Sequence, residues 1–574
     1  MKNKDIASIF STIADLLEIK GEQVFRINSY RRAARTIKDL TEDVADLAAA
    51  GTLDKLPGIG KSTVAKVEEY LTTGKVSLHE KLLKSMPPGL PALLSIPGMG
   101  PKKVALAWRE LNVCNLADLK RVIASGELAQ LKGMGAKSVE QIAAGISFAE
   151  RSAGRTPLGL ALPLAEELAG LLREVKGAGR VEIGGSLRRG CETIGDVDLL
   201  CESSDGQAVI RAFTRLPHVK RILASGKTKG SILVERRDGP EIQVDCRVVP
   251  ARSFGAALQY FTGSKEHNVR LREMAIKKKW KLNEWGLFDG DRLIAGKHEA
   301  SIYRKLGLPH MPPEQRENRG EFEAPSLQPL VEIGDIRGDL HTHTTASDGT
   351  ADAETMARAA AERGYEYLAI TDHSKSSTVA KGLTVDRMWR QIEKIRKLNK
   401  RLDTLTVLVG CECDILSDGS LDYPDPVLAA CDFVVASVHS GMRQDRKKIT
   451  ARVLRALENP YVCVLGHPTA RLINRREPMD LDMGAVIAKA AETQTALELN
   501  ASWQRLDLKD QHVRMAVEAG VKISINTDAH SVVQFDQMKF GIATARRGWV
   551  RPEDVINTMP LPNLRKWIAR KRKR

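Results

Sequence analysis

The stretch GGSLRRGCETIGDVDLL, residues 184–200, starts with a glycine-rich turn and ends in a β-prone run. Asp196 and Asp198 lie two positions apart in this run, so on a strand both carboxylates point to the face opposite the core. The turn offers backbone amides to a phosphate, and Arg188 and Arg189 add two guanidinium groups. The stretch therefore predicts an α+β core that handles a phosphate-bearing substrate.

A second strand-like run, EIQVDCRVV at residues 241–249, alternates apolar and polar residues and places Asp245 on its polar face. If the two strands are neighbours, the carboxylates of Asp196, Asp198 and Asp245 converge. Oxygen ligands of this kind suit Mg²⁺ bound together with substrate phosphates, and two such ions can activate a hydroxyl and stabilise a leaving pyrophosphate. A strand that merely exposes aspartates is the alternative, but it explains neither the arginine-containing turn nor the second strand.

A short element recurs three times near the N-terminus: LPGIGKSTVAKV at 56–67, IPGMGPKKVALAW at 96–108 and LKGMGAKSVEQI at 131–142. Each has two glycines that permit a tight turn, followed by a helix whose first N–H groups can bind phosphate. The pattern resembles the helix-hairpin-helix motif, which grips the DNA backbone. One copy could equally be a glycine-capped helix connection; three copies favour DNA binding through Gly58, Gly60, Gly98, Gly100, Gly133 and Gly135.

The net charge also favours a nucleic-acid partner, and the composition excludes several other classes of protein. The net charge is +16 and lies mainly in residues 1–315, which suggests a polyanionic partner, and the basic tail is expected to be an auxiliary phosphate contact. The eight cysteines form no C-x-x-C pair, so neither a disulfide framework nor a zinc finger is expected. No apolar run is long enough to span a membrane, and the N-terminal stretch MKNKDIASIF lacks the long apolar core of a secretory signal. We therefore expect no membrane partner and a cytoplasmic, nucleoid-associated protein.

The motifs GSLRRGCETIGDVD, IQVDCR and YFTGSKEHNVRLR (260–272) resemble the family X DNA polymerases, the DNA polymerase beta group, from residue 1 to about 315. The resemblance implies that Asp196 and Asp198 bind two Mg²⁺ or Mn²⁺ ions and that Asp245 binds the catalytic one. It implies gapped or primer-template DNA and deoxynucleoside triphosphates as substrates. The nucleotide-binding residues implied are Gly185, Ser186, Arg189, Gly195, Tyr260, Phe261, Gly263, Asn268 and Arg272, of which Ser186 and Arg189 would contact the triphosphate, Tyr260 and Phe261 the sugar, and Asn268 and Arg272 the minor groove.

Some members of this family carry a lyase lysine that forms a Schiff base at an abasic site, and Lys66 falls at that position. Ser62 stands where the 5'-phosphate pocket commonly has a lysine, although Arg26, Tyr30 and Arg31 remain available. A lyase function for Lys66 is therefore a hypothesis.

After residue 336 the pattern changes to strands that alternate with helices, as in a parallel barrel. Seven strand-like runs occur, and six end in His, Asp or Glu. In α/β barrels the carboxyl ends of strands meet at one mouth. A single histidine after a strand is more often a cap than a ligand, but the shared placement of these residues predicts a site for Zn²⁺, Mn²⁺ or Fe²⁺: His341, His343, Asp348, His373, Glu412, His439, His467, Asp528 and His530.

This half resembles the PHP (polymerase and histidinol phosphatase) family, a distorted (β/α)7 barrel with a three-metal phosphoesterase site. The resemblance implies one ion on His341, His343, Glu412 and Asp528, a second that Glu412 shares with His439 and His467, and a third on Asp348, His373 and His530. Arg471 is a candidate phosphate clamp, although an exposed arginine at a helix start is equally compatible with the sequence.

Together the two halves are similar to the bacterial and archaeal-type family X polymerases that carry a PHP domain. The implied function is filling of short gaps in DNA repair, with a 3'-to-5' exonuclease or 3'-end-processing activity in the barrel. The alternative is a polymerase whose barrel is structural or acts as a phosphatase or abasic endonuclease. We expect a monomer with a helical DNA-binding domain (1–85), a second hairpin domain (86–155), a palm (156–250), a thumb (251–315), a linker (316–336) and the barrel (337–574).

Overall fold

The computed structural model describes all residues except 1, 39, 41–42, 57, 153, 237–238, 325–327 and 574. The chain forms two compact units, residues 1–153 with 474–476, and residues 154–473 with 477–574. Among the residues so described, no helix is both long enough and apolar enough to cross a membrane.

The first unit is helical around one apolar core. Its three hairpins share one backbone geometry. The first glycine of each, Gly58, Gly98 and Gly133, has a positive φ of 79°, 95° and 89°, a conformation that side chains with a Cβ rarely adopt. The apolar residue that follows this glycine is buried and donates its N–H three residues back. The helices that the structure describes here are α1 (Asn3–Lys20), α2 (Val24–Lys38), α3 (Val44–Ala49), α4 (Lys61–Thr73), α5 (Ser77–Lys84), α6 (Pro101–Leu111), α7 (Leu116–Ala124), α8 (Glu127–Gln130) and α9 (Ala136–Ser152).

The second unit begins with an α+β core. Its elements are β1 (Thr156–Pro157), α10 (Leu158–Arg173), β2 (Val181–Ile183), α11 (Gly185–Arg188), β3 (Thr193–Ile194), β4 (Asp196–Glu202), α12 (Gly206–Phe213), β5 (Val219–Ser225), β6 (Lys229–Arg236) and β7 (Gly239–Val249). Five of the strands form one sheet of order β2-β4-β7-β6-β5. Strands β4 and β7 are parallel neighbours, and Asp198 lies opposite Asp245. The two strands predicted to be adjacent are therefore paired.

A smaller α+β subdomain follows, with α13 (Phe254–Thr262), α14 (Lys265–Lys277), α15 (Glu299–Leu306) and the antiparallel strands β8 (Trp280–Asn283), β9 (Gly286–Asp289) and β10 (Arg292–Ala295). The start of the segment 316–336 is fixed to it. Arg316 is fully buried, donates to Met311 O at 2.9 Å and pairs with Glu299. Glu321 is also buried and hydrogen-bonds His267 at 2.8 Å. This part of the expected linker is ordered by polar contacts that no local pattern reveals, and residues 325–327 lie outside the described residues.

The rest of the unit is a nearly closed barrel of seven parallel strands in sequential order: β11 (Gly338–Thr342), β12 (Tyr367–Ile370), β13 (Thr406–Asp414), β14 (Phe433–Ser437), β15 (Val464–Leu465), β16 (Ala496–Asn500) and β17 (Ile523–Asn526). The first and last strands meet where His343 N donates to Ala529 O at 2.8 Å. The accompanying helices are α16 (Ala353–Glu362), α17 (Val385–Asn399), α18 (Asp425–Ala430), α19 (Arg446–Leu457), α20 (Met483–Thr493), α21 (Asp510–Glu518), α22 (Met538–Arg547) and α23 (Leu561–Arg572). The predicted multidomain fold class is confirmed.

The basic tail has a structural role in this barrel. Leu564 and Ile568 of α23 are buried in the apolar cluster inside the strands, and Lys571 donates to Thr495 Oγ1 at 2.8 Å. The helix therefore closes the barrel interior, which the charge of the tail did not predict.

Two candidate metal centres

Three carboxylates converge on the polar face of the core sheet. Asp245 is held by Ser231 Oγ at 2.6 Å and Gln243 Nε2 at 2.9 Å, both of which donate to its Oδ1. Burial, followed by the charges of Asp196 and Asp245, raises the pKa of Asp198 to about 7. A carboxylate cluster in which one member resists ionisation gains most from a divalent cation. This donor set fits the predicted Mg²⁺ or Mn²⁺ pair.

The glycine turn lies directly against these carboxylates. Gly185 has φ of +63°, and a Cβ there would lie 2.2 Å from Asp198 Oδ2, so only glycine lets the turn approach. Gly195 immediately precedes Asp196, and Ser186 O accepts from Cys191 N at 3.0 Å. Gly185 and Gly195 thus border the aspartates, and Ser186 follows Gly185 in the turn.

Arg189 is held by groups that sequence analysis did not identify. Its Nε donates to Glu317 Oε1 at 3.0 Å and its Nη1 to Thr262 O at 2.7 Å. Arg547 of the barrel donates to the same Glu317 oxygen at 2.7 Å. The predicted triphosphate contact therefore carries an internal counter-ion in this structure.

The residues predicted to contact sugar and minor groove lie on α13 and at the start of α14. Tyr260 and Phe261 form an edge-on pair with ring centroids 5.2 Å apart. Asn268 Nδ2 donates to Tyr260 O at 2.7 Å, and a Cβ at Gly263 would lie 2.6 Å from Asn268 Oδ1. Arg272 is exposed, and its Nε donates to Asn268 O at 3.3 Å. These contacts join the five residues into one local group.

Lys66 lies on α4 beside the residues expected around it. Its Nζ donates to Ser62 Oγ and Ser62 O, both at 2.9 Å, and lies 5.9 Å from the centroid of the Tyr30 ring. Arg31 is paired with Glu18 and Asp15, and Arg26 with Glu22 at 3.2 Å. The cationic groups of the expected 5'-phosphate pocket thus have acidic partners in this structure.

The nine predicted barrel residues gather at the carboxyl ends of the strands. Glu412 is central: its Oε1 lies 2.9 Å from His467 Nε2 and 3.3 Å from His439 Nε2, and its Oε2 lies 3.5 Å from His341 Nε2. His343 Nε2 lies 3.1 Å from Asp528 Oδ1. Ligand atoms within 4.8 Å of one another define three groups: His343, Asp348, His373 and His530; His341, His343 and Asp528; and His373, Glu412 and His439.

Unpaired buried atoms test whether this set fits metal ions. Both oxygens of Glu412, both ring nitrogens of His343 and the Nε2 of His341 are buried without a hydrogen-bond partner among the described residues. Leaving buried polar atoms unpaired costs about 1–3 kcal/mol each, so their accumulation is typical of a site built for a ligand. The imidazole and carboxylate donors fit divalent metals of the Zn²⁺, Mn²⁺ or Fe²⁺ type.

The pKa values of the barrel histidines also fit a metal site. Burial, with His530 and His373 nearby, lowers the pKa of His343 to about 3, so it is neutral as a ligand must be. Burial lowers the pKa of His439, but Glu412 and Asp414 outweigh it and raise that pKa to about 10. In the same way, Asp348 and Asp528 overcome burial and raise the pKa of His530 to about 9. Protons and divalent cations therefore compete for the ring nitrogens of His439 and His530.

Two further carboxylates orient the histidines. Glu498, on β16, is fully buried and accepts from His341 Nδ1 at 2.7 Å and from His467 N at 2.6 Å. Asp414, on β13, hydrogen-bonds His439 Nδ1. Such partners fix the ring tautomer of a metal ligand. Sequence analysis missed both because they lie within apolar strand runs; an acidic residue inside such a run was the available signal.

Arg471 does not lie free at the barrel mouth. It pairs with Glu192 of the core at 2.7 Å and donates to Leu506 O. Arg505 instead faces the candidate metal ligands, with Nε 3.7 Å from Asp528 Oδ2 and a buried Nη1 that has no hydrogen-bond partner among the described residues. Its loop rests on the polymerase-like core, because Trp503 packs on Gly159, where a Cβ would lie 2.2 Å from the indole Cγ.

Comparisons with known proteins agree with this architecture. The family described as DNA polymerase beta thumb matches residues 257–317, the helix-hairpin-helix domain 1–76, the SAM-like helix-hairpin-helix tandem 90–147 and the PHP domain 339–502. Probable phosphatases of Thermoanaerobacter sp. (strain X514) and Clostridium acetobutylicum are 29% and 31% identical over 38% and 35% of this chain, which cover 89% and 83% of those proteins.

A relative that extends over both halves decides the family. The DNA polymerase/3'-5' exonuclease PolX of Bacillus subtilis (strain 168) is 39% identical over 574 residues, which cover 99% of this chain and 100% of that protein. The chain therefore belongs to the PolX family, the family X DNA polymerases that carry a PHP domain.

Proposed function

We propose that this chain is a DNA-directed DNA polymerase that fills short gaps during repair and that its barrel is a 3'-5' exonuclease. The observation that carries the proposal is that one chain gathers two separate sets of candidate metal ligands. One set is the three aspartates of the core; in the other, eight of the nine barrel residues form groups that could hold an ion, and His467 lies 2.9 Å from Glu412. A primer end extended at one site can be trimmed at the other. The substrates proposed are gapped or primer-template DNA and deoxynucleoside triphosphates.

At the core, we propose that Asp196 and Asp198 hold two ions, Mg²⁺ or Mn²⁺, and that Asp245 holds the catalytic one. When bound, the ions would promote ionisation of the primer 3'-hydroxyl and neutralise charge on the leaving pyrophosphate. The protein keeps Asp245 oriented through Ser231 and Gln243. The glycine turn and Ser186 border the position of the triphosphate, and Tyr260, Phe261, Asn268 and Arg272 line the side of α13 and α14 that would take the sugar and base.

At the barrel mouth, the nine ligands would hold up to three Zn²⁺, Mn²⁺ or Fe²⁺ ions, which supply Lewis acidity and an activated water. Glu498 and Asp414 keep His341 and His439 in the tautomers that ligate. Arg505 is the guanidinium that would bind the scissile phosphate, since an arginine fork matches phosphate oxygens. We propose this role for Arg505 in place of Arg471, because Arg471 is paired with Glu192.

The hairpins of the first unit would grip the DNA backbone through the helix starts that follow Gly60, Gly100 and Gly135. The predicted domain division is retained as part of this proposal, except that the start of the expected linker belongs with the subdomain before it. The lyase role of Lys66 stays a prediction. Borohydride trapping on an abasic substrate tests it, and trapping that is equal in wild type and Lys66→Ala would remove it.

A 3'-phosphatase is the second candidate for the barrel, because relatives that match the barrel region are named probable phosphatases. The test uses two 5'-labelled primers on one-nucleotide-gapped DNA, one ending in a 3'-hydroxyl and one in a 3'-phosphate. With nucleotides, the hydroxyl primer should gain one residue. Without nucleotides, it should shorten stepwise. If the 3'-phosphate is removed and neither primer is shortened, the barrel is a 3'-phosphatase and the exonuclease proposal fails. If the hydroxyl primer is not extended in the presence of nucleotides, the polymerase proposal fails.

A further inference from the structure

A cavity of about 250 Å³ lies between the polymerase-like core and the barrel. One wall is the turn that follows Arg189 and includes Gly190, Cys191 and Thr193. The opposite wall comes from the barrel, from Lys509 and Gln511 at the start of α21. The cavity is therefore built by both halves of one compact unit.

The lining carries an excess of positive charge. Arg155, Arg319, Lys509 and Arg547 contribute four cations. Arg319 and Arg547 share a single oxygen of Asp510, at 2.9 and 3.1 Å, and Arg547 also pairs with Glu317 at 2.7 Å. Lys509 is half-buried, and its ammonium group has no hydrogen bond or ion pair to any residue that the structure describes. Such a set is suited to an anion with more than one charge.

Glu192, the other acidic residue of the lining, does not neutralise the excess positive charge. Its carboxylate pairs with Arg471, 2.7 Å away. Neutral donors complete the wall, namely the Thr193 hydroxyl and the Gln511 amide. Phosphate groups use both charged and neutral donors of this kind.

The cavity also adjoins the nucleotide site of the core. Arg155 donates through Nε to Thr193 Oγ1 at 2.8 Å and through Nη2 to Thr193 O at 2.6 Å. Its Nη1 would lie 3.9 Å from a Cβ placed on Gly195, the residue before Asp196. Through Arg155 the cavity therefore reaches Gly195, one of the residues assigned to the nucleotide.

We propose that the barrel completes the nucleotide site: Lys509, with Arg319 and Arg547, binds the phosphate tail of the incoming triphosphate and the pyrophosphate that leaves. The proposal rests on the proposed polymerase function and adds barrel residues to it. Lys509 is a binding residue here, because its ammonium group would touch the phosphate. The barrel is then part of the polymerase site as well as the hydrolytic site.

The test is calorimetric binding of inorganic pyrophosphate with Mg²⁺ to the full chain, together with the kinetics of one-nucleotide gap filling. Lys509→Ala should weaken pyrophosphate binding and raise the KM for the nucleotide by roughly ten-fold, the usual effect of one charge-assisted hydrogen bond, with little change in kcat. Lys509→Arg should largely restore both. Primer shortening should be unchanged.

Lys539→Ala is the matched control, because Lys539 is a barrel lysine that pairs with Glu166 of the core at 3.6 Å and does not line the cavity. It should leave binding and KM at wild-type values. Equal pyrophosphate affinity and KM in Lys509→Ala and wild type would overturn the proposal, as would equal competition by a nucleoside monophosphate, which lacks the tail. If pyrophosphate binding depends on Lys509 but wild type adds no nucleotide, the polymerase function fails and only the anion site remains, which overturns the assignment to the triphosphate.

Discussion

Replacing Glu498 by glutamine should weaken metal binding in the barrel while preserving its shape. Glu498 Oε1 accepts from His341 Nδ1 at 2.7 Å and from Asn526 Nδ2 at 2.8 Å, and Oε2 accepts from His467 N at 2.6 Å and from Asn500 Nδ2 at 3.3 Å. All four partners donate. The amide of glutamine has only one oxygen, so its NH₂ group must face a donor on one side or the other.

The two orientations have different consequences. On the Oε2 side the NH₂ group would oppose the backbone N–H of His467, which cannot become an acceptor. On the Oε1 side it would face His341 Nδ1, which can accept only if its proton moves to Nε2, the nitrogen that lies 3.5 Å from Glu412. A protonated Nε2 cannot bind a metal. We therefore expect a loss of roughly 10- to 100-fold in metal affinity, about 1.4 to 2.7 kcal/mol.

The assay is competition between the chelator-treated protein and a chromophoric chelator for Zn²⁺ or Mn²⁺, with primer shortening and gap filling measured in parallel. Asp507→Asn is the matched control, since Asp507 is fully buried and accepts from Thr469 N and Oγ1 but hydrogen-bonds no candidate ligand. Gap filling should be unaffected by either change. Unchanged metal affinity in Glu498→Gln, or an equal loss in Asp507→Asn, would refute the reasoning.

Three further predictions follow from the same geometry. Because the pKa of Asp198 is raised to about 7, the folded protein binds more protons than the unfolded chain between about pH 4 and 7. Asp198→Asn should therefore be more stable than the wild type at pH 8, by up to about 4 kcal/mol, and no more stable near pH 4. Urea unfolding at both pH values checks this, and Mg²⁺ should reduce the difference in stability at pH 8. The pKa values of His439 and His530 are raised to about 10 and 9, and the carboxylates around His341 raise its pKa as well. Metal binding at pH 7 should therefore release about three protons, and binding heats should vary with the ionisation enthalpy of the buffer; heats independent of the buffer would contradict it. In Gly159→Ala the new methyl group should displace the Trp503 indole and with it the barrel loop that carries Arg505. Primer shortening should slow by roughly 10- to 100-fold, while metal content and gap filling stay intact. Gly170→Ala is the control, because this glycine lies on the same helix with open space around it, and it should change nothing.

The fold was predictable where local periodicity and global arrangement agree. The apolar runs that end in His373, Glu412 and His439 are strands of the barrel, and sequential parallel order brings their carboxyl ends to one mouth. The pairing of β4 with β7 follows from the alternation around Asp196 and Asp245. In both cases the burial requirement of the strand determined which of its residues are apolar, so the remaining polar residues could be identified as candidate site residues.

Residues that act through tertiary contacts were not predictable in this way. Glu498 and Asp414 lie inside apolar runs, where an acid has no local signature of its partner. Arg505 and Arg471 are both arginines near strand ends, and only their partners distinguish them. Glu317 reaches Arg189 across 128 positions of sequence, from a segment whose composition indicated a linker.

The most direct test of two separate active sites is a labelled primer on one-nucleotide-gapped DNA with Mn²⁺, with and without nucleotides. Three proteins are compared: wild type, Asp196→Ala with Asp198→Ala, and His341→Ala with His343→Ala. The aspartate variant should lose only extension, and the histidine variant should lose only shortening. If the histidine variant still shortens the primer, the barrel ligands serve another reaction or a structural role, and the account of the second site is contradicted.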